Sequence, residues 1–267
     1  MNFTLKIMGT ASAMPISDRN PSAQMLDANG RLFLIDCGEG TQQQMRRMHL
    51  SFVKIEAIFI SHIHGDHLFG LFGLLNSLSM YGRSGVLDIY GPAALGPVLK
   101  FYQNFFGSDD NFTIGFHPVD CKAPELIHTS RHLTVTAFPL RHKIECYGYR
   151  FDEIVSERCL REKPDYRPKS YAYCSDTLSF PELAEYVKGV RTIYHEATYN
   201  DALADKAAFR FHSTTSQAAR CALEAGADRL IVGHYSSRIS DFEAFLKECT
   251  DVFPNTVLAN DGDVVEL

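Results

Sequence analysis

The order of strand-like and helix-like segments predicts a four-layer α/β sandwich, two sheets packed face to face with helices outside. Three observations lead there. The first half of the chain is rich in short apolar runs closed by Gly, Pro or Asn turn signals. The second half alternates such runs with amphipathic helical stretches. No short repeat, low-complexity tract or linker separates the halves, so residues 1–267 read as one domain.

In the first half the expected strands are Phe3 to Met8, Arg31 to Asp36, Ala57 to Ser61, Val86 to Tyr90 and Leu133 to Pro139. Between them, His67 to Met80 places Leu68, Leu71, Phe72, Leu75 and Leu78 at three- and four-residue spacing, the mark of a helix with one buried face. The second half reads as a strand Ser170 to Cys174, a helix Phe180 to Val187, a strand Val190 to His195 and a helix Thr215 to Ala225. A strand Arg229 to Gly233, a helix Asp241 to Cys249 and a short strand near Val257 complete it.

With 45% hydrophobic and 22% charged residues the composition is that of a globular protein, and no apolar run approaches the roughly 20 residues that span a bilayer. Met1 to Gly9 alternates like a strand and lacks the basic start and apolar core of a signal peptide. The seven cysteines are scattered, with no C-x-x-C pair, which argues against a disulfide framework or a cysteine zinc site. These features predict a soluble cytoplasmic protein without membrane contact. A net charge of −6 argues against nonspecific polyanion binding over the whole surface but leaves room for a local basic cleft. Of the eleven histidines, His49, His117, His128 and His132 fall outside any motif and read as ordinary surface or core residues.

The chemistry is concentrated in His62-Ile63-His64-Gly65-Asp66-His67, at the end of the strand Ala57 to Ser61. His62 and His64 are two apart, so an extended backbone points both imidazoles the same way. Gly65 then permits a tight turn that brings Asp66 and His67 round to a second ion. Solvated turn residues or a single structural metal would be the bland alternatives. Imidazole and carboxylate without thiolate suit Zn²⁺, Mn²⁺ or Fe and tend to leave a coordination position open, which favours catalysis.

This signature resembles the metallo-β-lactamase superfamily, and its flanking residues resemble ribonuclease Z, the endonuclease that trims the 3′ end of precursor tRNA. The matching segments run nearly the length of the chain. They include Gly9 to Pro15 with Arg19-Asn20-Pro21-Ser22, Asp36 to Gln42, the His cluster, and Tyr90-Gly91-Pro92. Pro139 to His142 with Gly148-Tyr149-Arg150, Ser175-Asp176-Thr177 and His195-Glu196-Ala197-Thr198 follow. His212-Ser213-Thr214 with Gln217-Ala218-Ala219, and His234 to Arg238, complete the series.

The resemblance implies a metallo-β-lactamase-type αββα sandwich and a centre of two Zn²⁺ ions, with Mn²⁺ or Fe as substitutes. His62, His64 and His142 are then expected to hold one ion, Asp66, His67 and His234 the other, and Asp176 to bridge them. Two such cations lower the pKa of a shared water from about 16 towards 7 and neutralise charge on a phosphoryl oxygen. Asp66 is the candidate general base. By the resemblance His212 protonates the leaving oxygen, with Glu196 orienting it. Ser213 or Thr214 is expected to cap the following helix and leave backbone N–H groups for phosphate, although a plain cap fits as well. Asp36 should brace the His loop, and Arg238 is a candidate phosphate contact.

One departure from the family stands out. The arm that grips the tRNA elbow should lie between Gly148-Tyr149-Arg150 and Asp176, yet only residues 151–175 fill that gap. They hold five acidic and five basic residues, so the shortened segment is charge-balanced rather than basic. The expected function is a metal-dependent phosphodiesterase resembling ribonuclease Z, acting on RNA such as precursor tRNA. The alternative is an arm-less phosphodiesterase for small cyclic phosphates or short oligonucleotides. A thioester or lactam hydrolase would not need Glu196 and His212, a di-iron reductase would prefer a carboxylate at Gly65, and a non-catalytic scaffold would have lost ligands. The resemblance also suggests a homodimer.

Overall fold

The computed structural model describes residues 2–107 and 111–267. Met1, at the head of the N-terminal alternation, lies outside the described residues. Strands β1 (Phe3–Gly9), β2 (Ala23–Ala28), β3 (Arg31–Ile35), β4 (Ile55–Phe59), β5 (Gly85–Pro92) and β6 (Phe112–Val119) form one sheet in sequence order. Strands β7 (Glu125–Thr129), β8 (Leu133–Pro139), β9 (Tyr147–Glu153), β10 (Ser170–Cys174), β11 (Thr192–Glu196), β12 (Arg229–Gly233) and β13 (Thr256–Leu258) form the other. The C-terminal β14 (Val264–Glu266) returns to pair antiparallel with β1.

Alternation along the strands divides the apolar residues between three layers of packing. Phe3, Leu5 and Ile7 of β1, Ala57 and Phe59 of β4, and Tyr171 and Tyr173 of β10 meet between the sheets. The intervening residues face helices. Met8, Ile58 and Ile60 pack with Leu71 and Leu75 of α3 (Leu71–Met80) and Leu99 of α4 (Leu95–Phe105), beside α1 (Thr41–Arg47) and α2 (Gly65–Leu68). On the other side Ala172, Leu230 and Val232 pack under α6 (Glu182–Tyr186), α8 (Thr215–Glu224) and α9 (Phe242–Val252). Two further helices, α5 (Glu157–Glu162) and α7 (Ala204–Arg210), lie on connections of the second half. The predicted four-layer sandwich is therefore the fold. No helix among the described residues is long and apolar enough to cross a membrane.

Topology explains why one end of the molecule carries the chemistry. Strands β3 to β6 are mutually parallel, as are β10 to β13, so their carboxyl ends share a direction within each sheet. Open α/β sheets present ligands at such ends, where side chains leave the ladder together.

The structure departs from the sequence reading at one informative place. The helix expected over His67 to Met80 is broken at Gly70, because the Gly70 N–H bonds the carbonyl of Cys37 at 2.9 Å. A Cβ at Gly70 would lie 2.0 Å from the Gly38 carbonyl, so the loop after β3 wedges into the helix there. Gly65, expected to permit a tight turn, opens the short α2 without a positive φ. An added Cβ at Gly65 would lie 2.4 Å from the ring of the exposed Phe69, which would have to swing aside.

Candidate metal centre

Five loops and the last residue of β11 deliver the titratable groups to the carboxyl ends of the strands. Asp36 follows β3, the segment His62 to His67 follows β4, and His142 follows β8. Asp176 follows β10, Glu196 ends β11, and His234 follows β12. Asp36 and His234 both have left-handed backbones, with φ of 55° and 62°. Non-glycine residues in that region cost on the order of 1–3 kcal/mol and persist where the surroundings impose them. Here the sharp turn stops each strand and swings its side chain into the cluster.

Two groups of ligand-type atoms result. His62, His64, His142 and Asp176 have donor atoms within 4.8 Å of one another, and so do Asp66, His67 and His234. In the first group His62 Nε2 lies 3.0 Å from His64 Nδ1, which lies 3.2 Å from His142 Nε2. In the second, His67 Nε2 is 3.2 Å from His234 Nε2, which is 3.3 Å from Asp66 Oδ2. These separations match the edge of a tetrahedron around an ion bonded to nitrogen at about 2.0–2.1 Å. Asp176 stands between the groups. Its Oδ1 is 3.2 Å from His234 Nε2 and 3.5 Å from His67 Nε2, while its Oδ2 is 3.7 Å from His62 Nε2 and 3.8 Å from His142 Nε2.

The donor set fits divalent cations. Asp176 Oδ1 is buried and, among the described residues, has no hydrogen bond of acceptable geometry despite its imidazole neighbours. A buried orphan acceptor is costly unless a cation satisfies it. The outward nitrogens are anchored: His67 Nδ1 to Asp36 Oδ2 at 2.8 Å, His234 Nδ1 to Thr198 Oγ1 at 2.8 Å, His142 Nδ1 to the Phe211 carbonyl at 2.9 Å, and His62 Nδ1 to Ser61 Oγ at 3.0 Å. Such outer partners fix the tautomer of ligating imidazoles.

The charges agree. Burial holds His62, His64 and His142 below the usual histidine range, keeping them neutral as ligation requires. For His67 burial acts the same way, but the carboxylates of Asp176, Asp66 and Asp36 outweigh it and hold the pKa well above that range. Burial opposes ionisation of Asp66 and Asp176, yet His67 and His234 outweigh it and keep both carboxylates ionised.

Beside this cluster Glu196 is fully enclosed, and its two oxygens accept from the backbone N–H groups of Thr177, Ser213 and Thr198 and from the Thr198 hydroxyl. It also bonds His212 Nδ1 at 3.1 Å. Burial lowers the His212 pKa, but Glu196 and then Asp176 outweigh it and raise the group to about 9. His212 joins Asp176 and His234 in a third candidate ligand group. Its Nδ1, however, is 3.9 Å from Asp176 and committed to Glu196. That leaves Nε2 for proton transfer.

Other predicted residues fall out differently. Arg238 lines the cavity over the cluster, which holds about 610 Å³. Ser213 is buried with its hydroxyl on the Thr177 carbonyl, and Thr214 caps α8, its N–H bonded to Gln217 Oε1 at 2.9 Å. Neither side chain lines the cavity. Asp36 braces the His loop as expected, also accepting from the backbone N–H and hydroxyl of Ser61 and from Tyr173. Sequence reasoning assigned no role to Thr198, which joins His234 to Glu196, or to Lys143, Lys206 and Arg210 at the cavity mouth. Only folding reveals their position.

Comparison with known proteins is consistent with this geometry. The β-lactamase superfamily domain matches residues 31–235. Ribonuclease Z of Bacteroides fragilis is 36% identical over 303 aligned positions, covering 99% of each chain. Ribonuclease Z of Parabacteroides distasonis is 37% identical, covering 98% of each. The crystal structure of human tRNase Z, short form, superposes with a TM-score of 0.81 at 28% identity over 98% of each chain.

Proposed function

The chain belongs to the ribonuclease Z family of metal-dependent hydrolases, and from that membership we propose that its substrate is RNA, of which precursor tRNA is the first candidate, cleaved at a phosphodiester near its 3′ end. The observation that carries this reading is the pairing of a split carboxylate, Asp176, with a buried Glu196–His212 dyad beside it. Hydrolysis of an RNA diester expels a sugar oxygen that needs a proton, and His212 is charged at neutral pH to give one.

His62, His64 and His142 would hold one divalent ion, Asp66, His67 and His234 the second, and Asp176 would bridge them, with zinc the ion this donor set favours. When bound, the ions supply an acidified water and positive charge at the phosphoryl oxygen. Asp66, held ionised, is the candidate general base and would orient the attacking water. Glu196 keeps His212 protonated and aimed, and Thr198 holds His234 in place from behind. Seven unpaired cysteines, six of them buried, support the cytoplasm as the compartment. The family resemblance supports a homodimer.

A second reading, a phosphodiesterase for small or short substrates, has its own support. Alignment with the Bacteroides fragilis enzyme spans 303 positions against 267 residues here, so that relative carries at least 36 (303 − 267) residues without a counterpart. Between β9 and β10, which pair antiparallel, the chain makes only α5 and a short return bound to Glu153 through Tyr166 and the Lys169 N–H. We take 151–175 as the site of the reduced arm. Offering the purified protein precursor tRNA, bis(p-nitrophenyl) phosphate and cyclic nucleotides side by side decides between them. Preferred cleavage of the tRNA supports the first reading; turnover of cyclic nucleotides with intact tRNA overturns it.

A further inference from the structure

We propose that Phe209 is a stacking platform for one unpaired nucleotide of the RNA next to the scissile phosphate, with Lys143 and Arg210 holding the adjoining phosphate charge. The inference rests on the reading of RNA as substrate. Phe209 is 72% exposed on α7. A single exposed aromatic is unremarkable in itself. This one is flanked by two cations, with Lys143 Nζ 5.9 Å and Arg210 Cζ 5.7 Å from the ring centroid.

Both cations line the cavity over the metal cluster, as do Lys206 and Arg238. The chain as a whole carries −6, so four cations at one mouth form a local basic rim around buried carboxylates. Basic groups interleaved with an exposed aromatic ring are the elements by which proteins hold single-stranded nucleic acid. The ring stacks a base and the cations neutralise phosphate. A paired duplex would hide its base faces from such a ring, so the occupant is an unpaired nucleotide.

The platform is also rigidly tied to the chemistry. Phe209 lies three positions before His212, a reach of at most about 11 Å along the chain. Helix α7 closes with Phe211 in a left-handed conformation, φ 61°, and with the His212 N–H bonded to the Ala207 carbonyl at 2.9 Å. The Phe211 carbonyl then meets His142 Nδ1 at 2.9 Å. The helix end that displays Phe209 is thereby pinned to a candidate ligand on one side and to the candidate acid on the other.

The test measures KM and kcat for a precursor tRNA with wild type, Phe209→Ala and Phe209→Tyr, and repeats them with RNAs carrying a single abasic site scanned across the nucleotides flanking the cut. Loss of one base stack should raise KM at least about 5-fold in Phe209→Ala, and the tyrosine ring should restore it. At one scanned position the abasic RNA should lose as much with wild type as ordinary RNA loses with Phe209→Ala, and combining the two should cost nothing more. Equal KM for wild type and Phe209→Ala, or additive losses at every position, overturns the platform while leaving RNA as the substrate. Wild type that neither binds nor cleaves RNA overturns both.

Discussion

Asp36 Oδ2 sits 2.8 Å from His67 Nδ1, fully buried, and the same carboxylate receives the backbone N–H and hydroxyl of Ser61 and the hydroxyl of Tyr173. It therefore ties the ends of β3 and β4 to β10 of the opposite sheet and sets the one His67 tautomer that leaves Nε2 for a metal. Asp36→Asn should keep the fold but weaken metal affinity about 10- to 100-fold. Competition against a chromophoric chelator reads this directly, and an unchanged affinity would remove Asp36 from that role.

Protein loaded under metal-replete conditions should carry close to two transition-metal ions per chain. Asp176→Ala should lose much of both, because each of its oxygens faces a different histidine group. Elemental analysis after gel filtration decides the matter; a reproducible single ion in wild type contradicts the paired centre.

On bis(p-nitrophenyl) phosphate, Asp66→Ala should abolish turnover at any pH. His212→Ala should harm RNA cleavage far more than hydrolysis of this ester, since nitrophenolate leaves without a proton and general acid catalysis is worth roughly 10²- to 10⁴-fold when one is needed. Equal losses on both substrates would exclude His212 as the acid.

The His212 pKa is raised, to about 9, chiefly by Glu196 and Asp176 against the effect of burial. Its charged form is thus fully present at neutral pH and is lost as pH rises through the raised value. Cleavage of RNA should fall along that alkaline limb. Cations on Asp176 will weaken its pull, and Glu196→Gln should move the limb to lower pH. A limb that stays put in Glu196→Gln assigns the titration to another group.

Without an extended arm between β9 and β10, contacts near the cavity must carry RNA affinity. A minimal acceptor-stem hairpin should then be cleaved nearly as well as full-length precursor. The log–log salt slope should be shallow, since each neutralised phosphate contributes about 0.9 on duplex nucleic acid. A preference of several orders of magnitude for full-length precursor, with a steep slope, would mean that a remote gripping surface exists.

Sequence periodicity determined the sandwich and short-range spacing the His62 to His67 cluster, while His142, Asp176, Glu196, His212 and His234 were legible only through the resemblance to a known family. Strands such as β10 and β12, whose apolar runs end in turn residues, were legible to the residue. The polar helix α1, with Met45 as its lone apolar residue, and β6, which contains Gly115 and Pro118, were not, because tertiary packing overrides their weak local signal. The His62 to His67 cluster was legible for its fixed offsets. Tertiary structure alone decided what depends on long-range closure: the halves of Asp176 facing different groups, the break at Gly70 where another loop takes its N–H, and the turning of Ser213 into the core. It also decided that Lys143, which lines the cavity, stands 5.9 Å from the ring of Phe209, far away in sequence. Side-chain direction across a sandwich is set by sheet register and loop closure, which a linear pattern does not encode.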